Sequence, residues 1–214
     1  MVAEEKAGET TPAAATGSLV PLPARFLYFT RGLWNLLSLG LALTLKVFAG
    51  SSVPPWAYGL LGAVVLAAEC WRVWGAGYVG RPARGGAPTG EALITAGPYA
   101  YLRNPMYVGT FLTLLAFSSM SGLWYAVLAV AAILAVVFSA SIAYEEAFLS
   151  ARFGEEYRRY REAVPRFLPS LRALAGRQAR PPAQGRFRLA DGLLNESGSL
   201  IFLPLFFTLF WFVE

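Results

Sequence analysis

The sequence predicts an all-α integral membrane protein of about five transmembrane helices, with a cytoplasmic helical extension of the fourth. Three observations carry that class. Of 214 residues, 56% are hydrophobic and 14% charged, where a soluble domain has about 25% charged residues; the mean hydropathy is +0.49. Several apolar segments come close to the about 20 residues that cross a bilayer's hydrocarbon core. No alternating β/α pattern exists, which excludes a strand-based nucleotide-binding domain.

Residues 1–22 are rich in Ala, Thr, Gly and Pro without apolar periodicity, and read as a disordered tail. Glu4 and Glu5 at the front argue against a secretory signal, which needs a basic start. The first span is expected at about residues 26–48, with Arg25 and Arg31 at its start and Lys46 placed to snorkel at its end. After a short turn at 49–55 the second span covers about 56–74 and carries Glu69. A carboxylate inside a span marks a functional candidate, but Arg72 lies three residues on, so an interfacial ion pair serves equally well. Gly75–Gly80 spells GAGYVG, a literal GxGxxG. A dinucleotide fingerprint needs a strand before it and a helix after it; here a membrane helix precedes and a Gly- and Pro-rich basic loop follows, so glycine serves to end the helix.

The third span is expected at about 105–120, opened by Pro105 at a position where a missing N–H is no loss. A charge-free turn at 118–122 leads to the fourth span at about 123–144. No breaker separates that span from Glu145, so the helix is expected to run on to about residue 163. Its Phe153, Tyr157 and Tyr160 are expected to pack against the membrane surface, and its Arg158-Arg159-Arg161 run to face lipid headgroups. The predicted organisation is a tail at 1–22, a membrane core at 23–169, a basic linker at 170–197 and a last span at 198–214, in which Pro204 is a tolerated kink.

Most of the basic residues lie in the segments 76–104 and 145–190, while the turns 49–55 and 118–122 hold no Lys or Arg. The positive-inside rule therefore places the N-terminus and both basic segments in the cytoplasm. Topology thus accounts for the net charge of +5, and nucleic acid is not an expected partner. With no His and a single Cys, no zinc site is expected.

Chemistry concentrates in two polar blocks. The first, AGPYAYLRNPMYVG at 96–109, sets Tyr99, Tyr101, Arg103 and Asn104 between Pro98 and Pro105. This density of hydrogen-bonding groups exceeds what a turn needs. The second, 145–169, opens with Glu145-Glu146 and continues through Leu149, Phe153, Gly154, Glu156, Tyr157, Tyr160, Val164 and Pro165.

Together these blocks resemble the isoprenylcysteine carboxyl methyltransferase and phospholipid methyltransferase superfamily of integral membrane enzymes, in Gly97, Tyr99, Arg103, Pro105, Tyr107 and Gly109 and then in the second set above. The resemblance implies methyl transfer from S-adenosyl-L-methionine to a lipid or lipidated small-molecule acceptor at the bilayer: a prenylcysteine carboxylate, a phospholipid amine or a small thiol. It implies Arg103 and Glu146 as catalytic residues. It implies Leu93, Ile94, Tyr99, Asn104, Pro105, Met106, Tyr107 and Glu145 as neighbours of the cofactor. Two departures stand out: the family's usual His is Asn104, which carries no proton near neutral pH, and the position of a substrate-binding Arg in the eukaryotic enzymes is Ser141.

Each assignment has a physical rationale beside a plainer one. Arg103 can hold a carboxylate in bidentate fashion, or anchor a helix end at the interface. Tyr99 and Tyr107 can stack on an adenine or face a sulfonium. Glu145 can accept hydrogen bonds from ribose hydroxyls or an amino group, whereas Glu146 can equally be a solvated start to the extension. Successive helical residues project about 100° apart, so at most one of the two acids points squarely into a given pocket. A non-catalytic membrane scaffold that keeps the same fold is the competing function; a transporter lacks the paired broken helices it would need.

Overall fold

A computed structural model describes residues 21–80, 92–168 and 182–213. Among them every regular element is helical, as the composition predicts. The segment 1–20, most of the basic loop at 81–91, and 169–181 lie outside the described residues.

Helix α1 is Leu22–Ala49 and α2 is Pro55–Val79. A 3-10 turn, Gly97–Ala100, precedes α3, Pro105–Ser119. Helix α4, Trp124–Ala163, is 40 residues long. It continues past Glu145 without a break, then bends at Gly154, whose φ of 50° and ψ of −118° are not helical. Helices α5, Leu189–Asn195, and α6, Ser197–Phe212, meet at a 54° bend; α5 falls within the stretch read as a linker.

Helices α1, α2 and α4 are each long and apolar enough to cross a membrane, and α5–α6 qualify as a fourth, bent crossing. Helix α3 has 15 residues. At about 1.5 Å rise per residue that is roughly 22 Å, short of the about 30 Å hydrocarbon core. It is short because polar sequence bounds it on both sides. The chain is thus a multi-pass helical membrane protein, with three full helices, a bent pair and a short helix among the described residues.

Helix α1 packs along α4, and α2 packs along α3 and α5. The shared core includes Leu39, Ala42, Val65, Leu114, Phe117, Leu134, Val137, Ile142 and Phe210. Phe26, Leu33, Leu36, Leu60, Leu66, Leu128 and Val136 remain exposed; along membrane helices these are lipid-facing residues. The glycines of GAGYVG serve this packing. Gly75 and Gly77 lie inside α2 and are buried, and only Gly80 ends the helix. A β-carbon on Gly75 would meet the Met106 sulfur at 2.9 Å, and one on Gly77 would meet the Arg188 carbonyl at 3.0 Å. The second span therefore runs about one turn beyond its expected end, because small residues let α3 and the chain before α5 approach it.

Two buried polar clusters fasten the C-terminal pair. At one end Arg72 bonds Glu69 at 3.2 Å and also Glu196. Ser199 donates to Glu196 Oε2 at 3.0 Å and also bonds Glu69. Asn195 donates to the Gly80 carbonyl at 2.7 Å and so caps α2. Glu69 is thus part of a helix-joining ion cluster. At the other end Lys46 does not snorkel: it is 1% exposed and donates to the Val213 carbonyl at the end of α6, a cation meeting the negative end of a helix. Tyr58 donates to the Phe210 carbonyl at 2.9 Å beside it.

Candidate active site

The bend at Gly154 builds the site. Beyond it the last turns of α4 lie on the 3-10 turn, and Tyr157 and Tyr160 pack with Leu93 and Val164 in a small second core. These tyrosines are 2% and 3% exposed, so they pack inside the protein rather than against the membrane surface. Tyr160 donates to the Tyr99 carbonyl at 2.9 Å. The Arg103 amide donates to the Pro165 carbonyl at 2.9 Å, and the Asn104 side chain donates to the Arg166 carbonyl at 3.2 Å. Thr95 and Ala96 amides both donate to the Gln184 carbonyl at 3.0 Å. The two polar blocks thus meet at one end of the bundle. The turns predicted to lie opposite also meet, where Ser51 bonds the Ser121 carbonyl.

At the centre of this cap the two adjacent acids part company. Glu146 takes Arg103 Nη2 on Oε1 at 3.4 Å. It also takes Arg166 twice, Nε on Oε1 at 3.2 Å and Nη2 on Oε2 at 2.9 Å. Glu145 turns to α3 instead, where Tyr107 donates to its Oε1 at 2.9 Å. The Tyr107 ring packs edge-on to Phe138 at 5.1 Å, and the Trp71 indole donates to the Pro105 carbonyl at 2.9 Å, fixing the start of α3. The Arg103 side chain is 12% exposed, and among the described residues its Nε and Nη1 are buried without a hydrogen-bond partner. Buried donors of this kind are normally paired, so Arg103 is a half-used guanidinium.

Of the other predicted site residues, Pro105 is buried at the head of α3 and Met106 lies against Gly75. Leu93 is in the cap core, and Ile94 lies beside Gly185. Tyr99 is held by the turn that Gly97 opens: Gly97 has φ 62° and lies under the Tyr78 ring, where a β-carbon would clash. Burial pushes the Tyr99 phenol far above its ordinary range, with the Glu145 charge adding to the effect, so it stays a neutral hydrogen-bonding group. Arg103 with Glu146, and Tyr107 with Glu145, are in direct contact; Leu93, Ile94 and Met106 stand around them as apolar packing. Ser141 is fully buried and spends its hydroxyl on the Val137 carbonyl at 2.7 Å.

Sequence reasoning missed Arg166, read as the tail of a terminating segment. The signal for Arg166 was its place one residue beyond a matched Val-Pro. The basic run has a different character from the one expected: Arg158 pairs with Glu155 at 2.6 Å and Glu162 at 2.7 Å, and Arg159 with Glu155 at 3.3 Å. Much of its charge is cancelled on its own helix.

The sequence model of the family described as phospholipid methyltransferase matches residues 59–156, which takes in most of α2, all of α3, the first polar block and Glu145-Glu146. The Schizosaccharomyces pombe protein named Protein-S-isoprenylcysteine O-methyltransferase is 40% identical over 79 residues, 37% of this chain and 34% of that one. Through these segments the chain is similar to the isoprenylcysteine and phospholipid methyltransferase superfamily. It is also similar to the Cupriavidus metallidurans protein named Cobalt-zinc-cadmium resistance protein CzcN, 35% identical over 123 residues, 55% of this chain and 50% of that one. An uncharacterised Haemophilus influenzae protein is 41% identical over 63 residues, 29% of this chain and 100% of that one. The chain thus spans between 34% and 50% of the length of the two named relatives. No solved structure matches it.

Proposed function

We propose that this membrane methyltransferase uses S-adenosyl-L-methionine to methylate an acceptor delivered from the bilayer. The observation that carries the reading is the half-used Arg103 guanidinium, two of whose buried nitrogens have no partner among the described residues, beside an acid pair of which one member is clamped by arginine and the other is held by a phenol. Such a donor set fits a zwitterionic amino-acid moiety. The cofactor, when bound, supplies a methyl carbon already activated by a sulfonium, so the protein need contribute no nucleophile.

The remaining work belongs to the chain's own residues. Arg103 holds the cofactor's carboxylate with its free N–H groups, and Glu146 with Arg166 fixes the guanidinium plane. Glu145 accepts from ribose hydroxyls or an amino group. Tyr99 and Tyr107 flank the aromatic or cationic portions, and Leu93, Ile94, Pro105 and Met106 form the apolar wall that excludes water. Holding reactants in near-attack geometry supplies on the order of 7–11 kcal/mol at best, and such positioning is the main contribution asked of this site. Asn104, tied to the Arg166 carbonyl, keeps the two blocks together and moves no proton.

The proposed acceptors remain the three classes the superfamily suggests: a prenylcysteine carboxylate, a phospholipid amine or a thiol. The site faces the cytoplasm, by the distribution of Lys and Arg, on a core of residues 23–169 with the last span, 198–214, fastened to it. The deciding experiment is calorimetric titration of detergent-purified protein with S-adenosylmethionine, beside folded Glu145→Ala and Arg103→Ala variants. Saturable binding lost in both variants is expected, followed by transfer of a labelled methyl group to an acceptor panel. A folded wild type that binds none, even with lipid added, points instead to a scaffold without catalysis.

A further inference from the structure

Adjacent half-buried acids need compensation, and among the described residues one of this pair receives it directly. Glu146 has two arginines on it, whereas among the described residues no ion pair reaches Glu145. An uncompensated carboxylate in a buried setting is costly. The titratable groups facing Glu145 are Tyr107 from α3, Tyr28 and Arg31 from α1, Tyr99 from the 3-10 turn and its own neighbour Glu146. Among these, the cation is Arg31.

Arg31 is not placed as an interfacial anchor would be. Its Nη1 donates to the Tyr28 carbonyl at 2.9 Å, and its guanidinium lies over the Tyr28 ring at 4.1 Å. Tyr28 is 2% exposed and packs its ring on Tyr144 at 4.6 Å. Tyr144 immediately precedes Glu145 on α4, so the stack seats the guanidinium against the stretch of α4 that carries the acid. Planar stacking and a fixed fork are properties lysine lacks, whereas the bare charge is common to both.

We propose that Arg31 is a positioning residue of this site, supplying the positive charge that keeps Glu145 a carboxylate, bonded to Tyr107 and able to accept hydrogen bonds from a ligand. The proposal rests on the reading that Glu145 faces the cofactor. It extends the site to α1, which lies before the 59–156 segment matched by the family. The matched segment alone therefore carries an incomplete site.

The test uses full-length protein with Arg31→Met, Arg31→Lys, Glu145→Gln and the Arg31→Met/Glu145→Gln double variant, read in two ways. Infrared difference spectra need no cofactor. Arg31→Met is expected to show the carbonyl stretch of a protonated carboxyl group that disappears in the double variant, while wild type and Arg31→Lys show none. Calorimetry with S-adenosylmethionine is expected to show affinity falling about 10- to 100-fold in Arg31→Met, the range for a hydrogen bond to a charged group, with most of it restored in Arg31→Lys. Adding Arg31→Met to Glu145→Gln is expected to cost nothing further. An unchanged Glu145 carboxylate in Arg31→Met overturns the proposal, as does undiminished affinity or a full additional loss in the double variant. Should wild type bind no S-adenosylmethionine, the cofactor reading falls while the infrared pair still decides the role of Arg31. If Arg31→Met does not fold, Arg31→Gln, which keeps the bulk and loses the charge, takes its place in both measurements.

Discussion

Glu145 and Glu146 are the same residue type, one peptide bond apart on one helix, and the protein treats them oppositely. Glu146 is enclosed by Arg103 and Arg166, which come from the two polar blocks. It ties the cap to the helix, and its charge is spent there. Glu145 meets a neutral phenol, and among the described residues no ion pair reaches it. A short motif specifies which chemistry is present; the elements that pack against it decide which copy is structural and which stays available. The roughly 100° between successive helical residues is what lets one motif supply both.

The contrast can be broken at either acid. Glu146→Ala leaves Arg103 and Arg166 facing each other without their counter-ion. Removing one partner from a buried pair costs about 3–5 kcal/mol, and the partial exposure of Arg166 sets the expectation near about 3 kcal/mol, read as thermal or denaturant unfolding in detergent. Glu145→Gln keeps an acceptor for Tyr107 and should leave unfolding within about 1 kcal/mol of wild type. Its S-adenosylmethionine affinity should nevertheless fall about 10- to 100-fold. Equal destabilisation by the two changes would erase the distinction. Gly154→Ala sharpens the role of the bend: its conformation is one that only glycine adopts readily, and the expected loss is about 1–3 kcal/mol, visible as earlier proteolysis of the cap. Tyr107→Phe comes last. It removes the hydroxyl on Glu145, a loss near about 1 kcal/mol, or roughly fivefold in affinity, by calorimetry.

The membrane architecture was legible because apolar runs of helical length leave little alternative. The first, second and fourth spans stand within a few residues of their expected bounds, and the helix runs past Glu145 as the absence of a breaker implies. The bend at Gly154 was not read, because a glycine inside an otherwise continuous helical pattern does not announce its φ. Tyr157 and Tyr160 were assigned to the membrane surface for the same reason: their burial follows from the bend. The pairing of the two blocks was legible through Arg103 and the acids, whereas the positions of Leu93 and Ile94 in the cap depend on Tyr157, Val164 and Gly185, far away in sequence. Arg31 escaped notice because cations at helix ends are ordinary in membrane proteins, and nothing local separates one turned inward from one turned to the headgroups. The same holds for Lys46.

That lysine sets a constraint on assembly in time. Lys46 and the carbonyl it meets at Val213 are 167 residues apart. At about 5–20 residues per second of synthesis, roughly 8–33 s separate their emergence from the ribosome. Until α6 arrives, the ammonium of the first helix has no helix end to answer it and stays at a wet boundary. The buried seat of Lys46 is therefore complete only when the last helix docks.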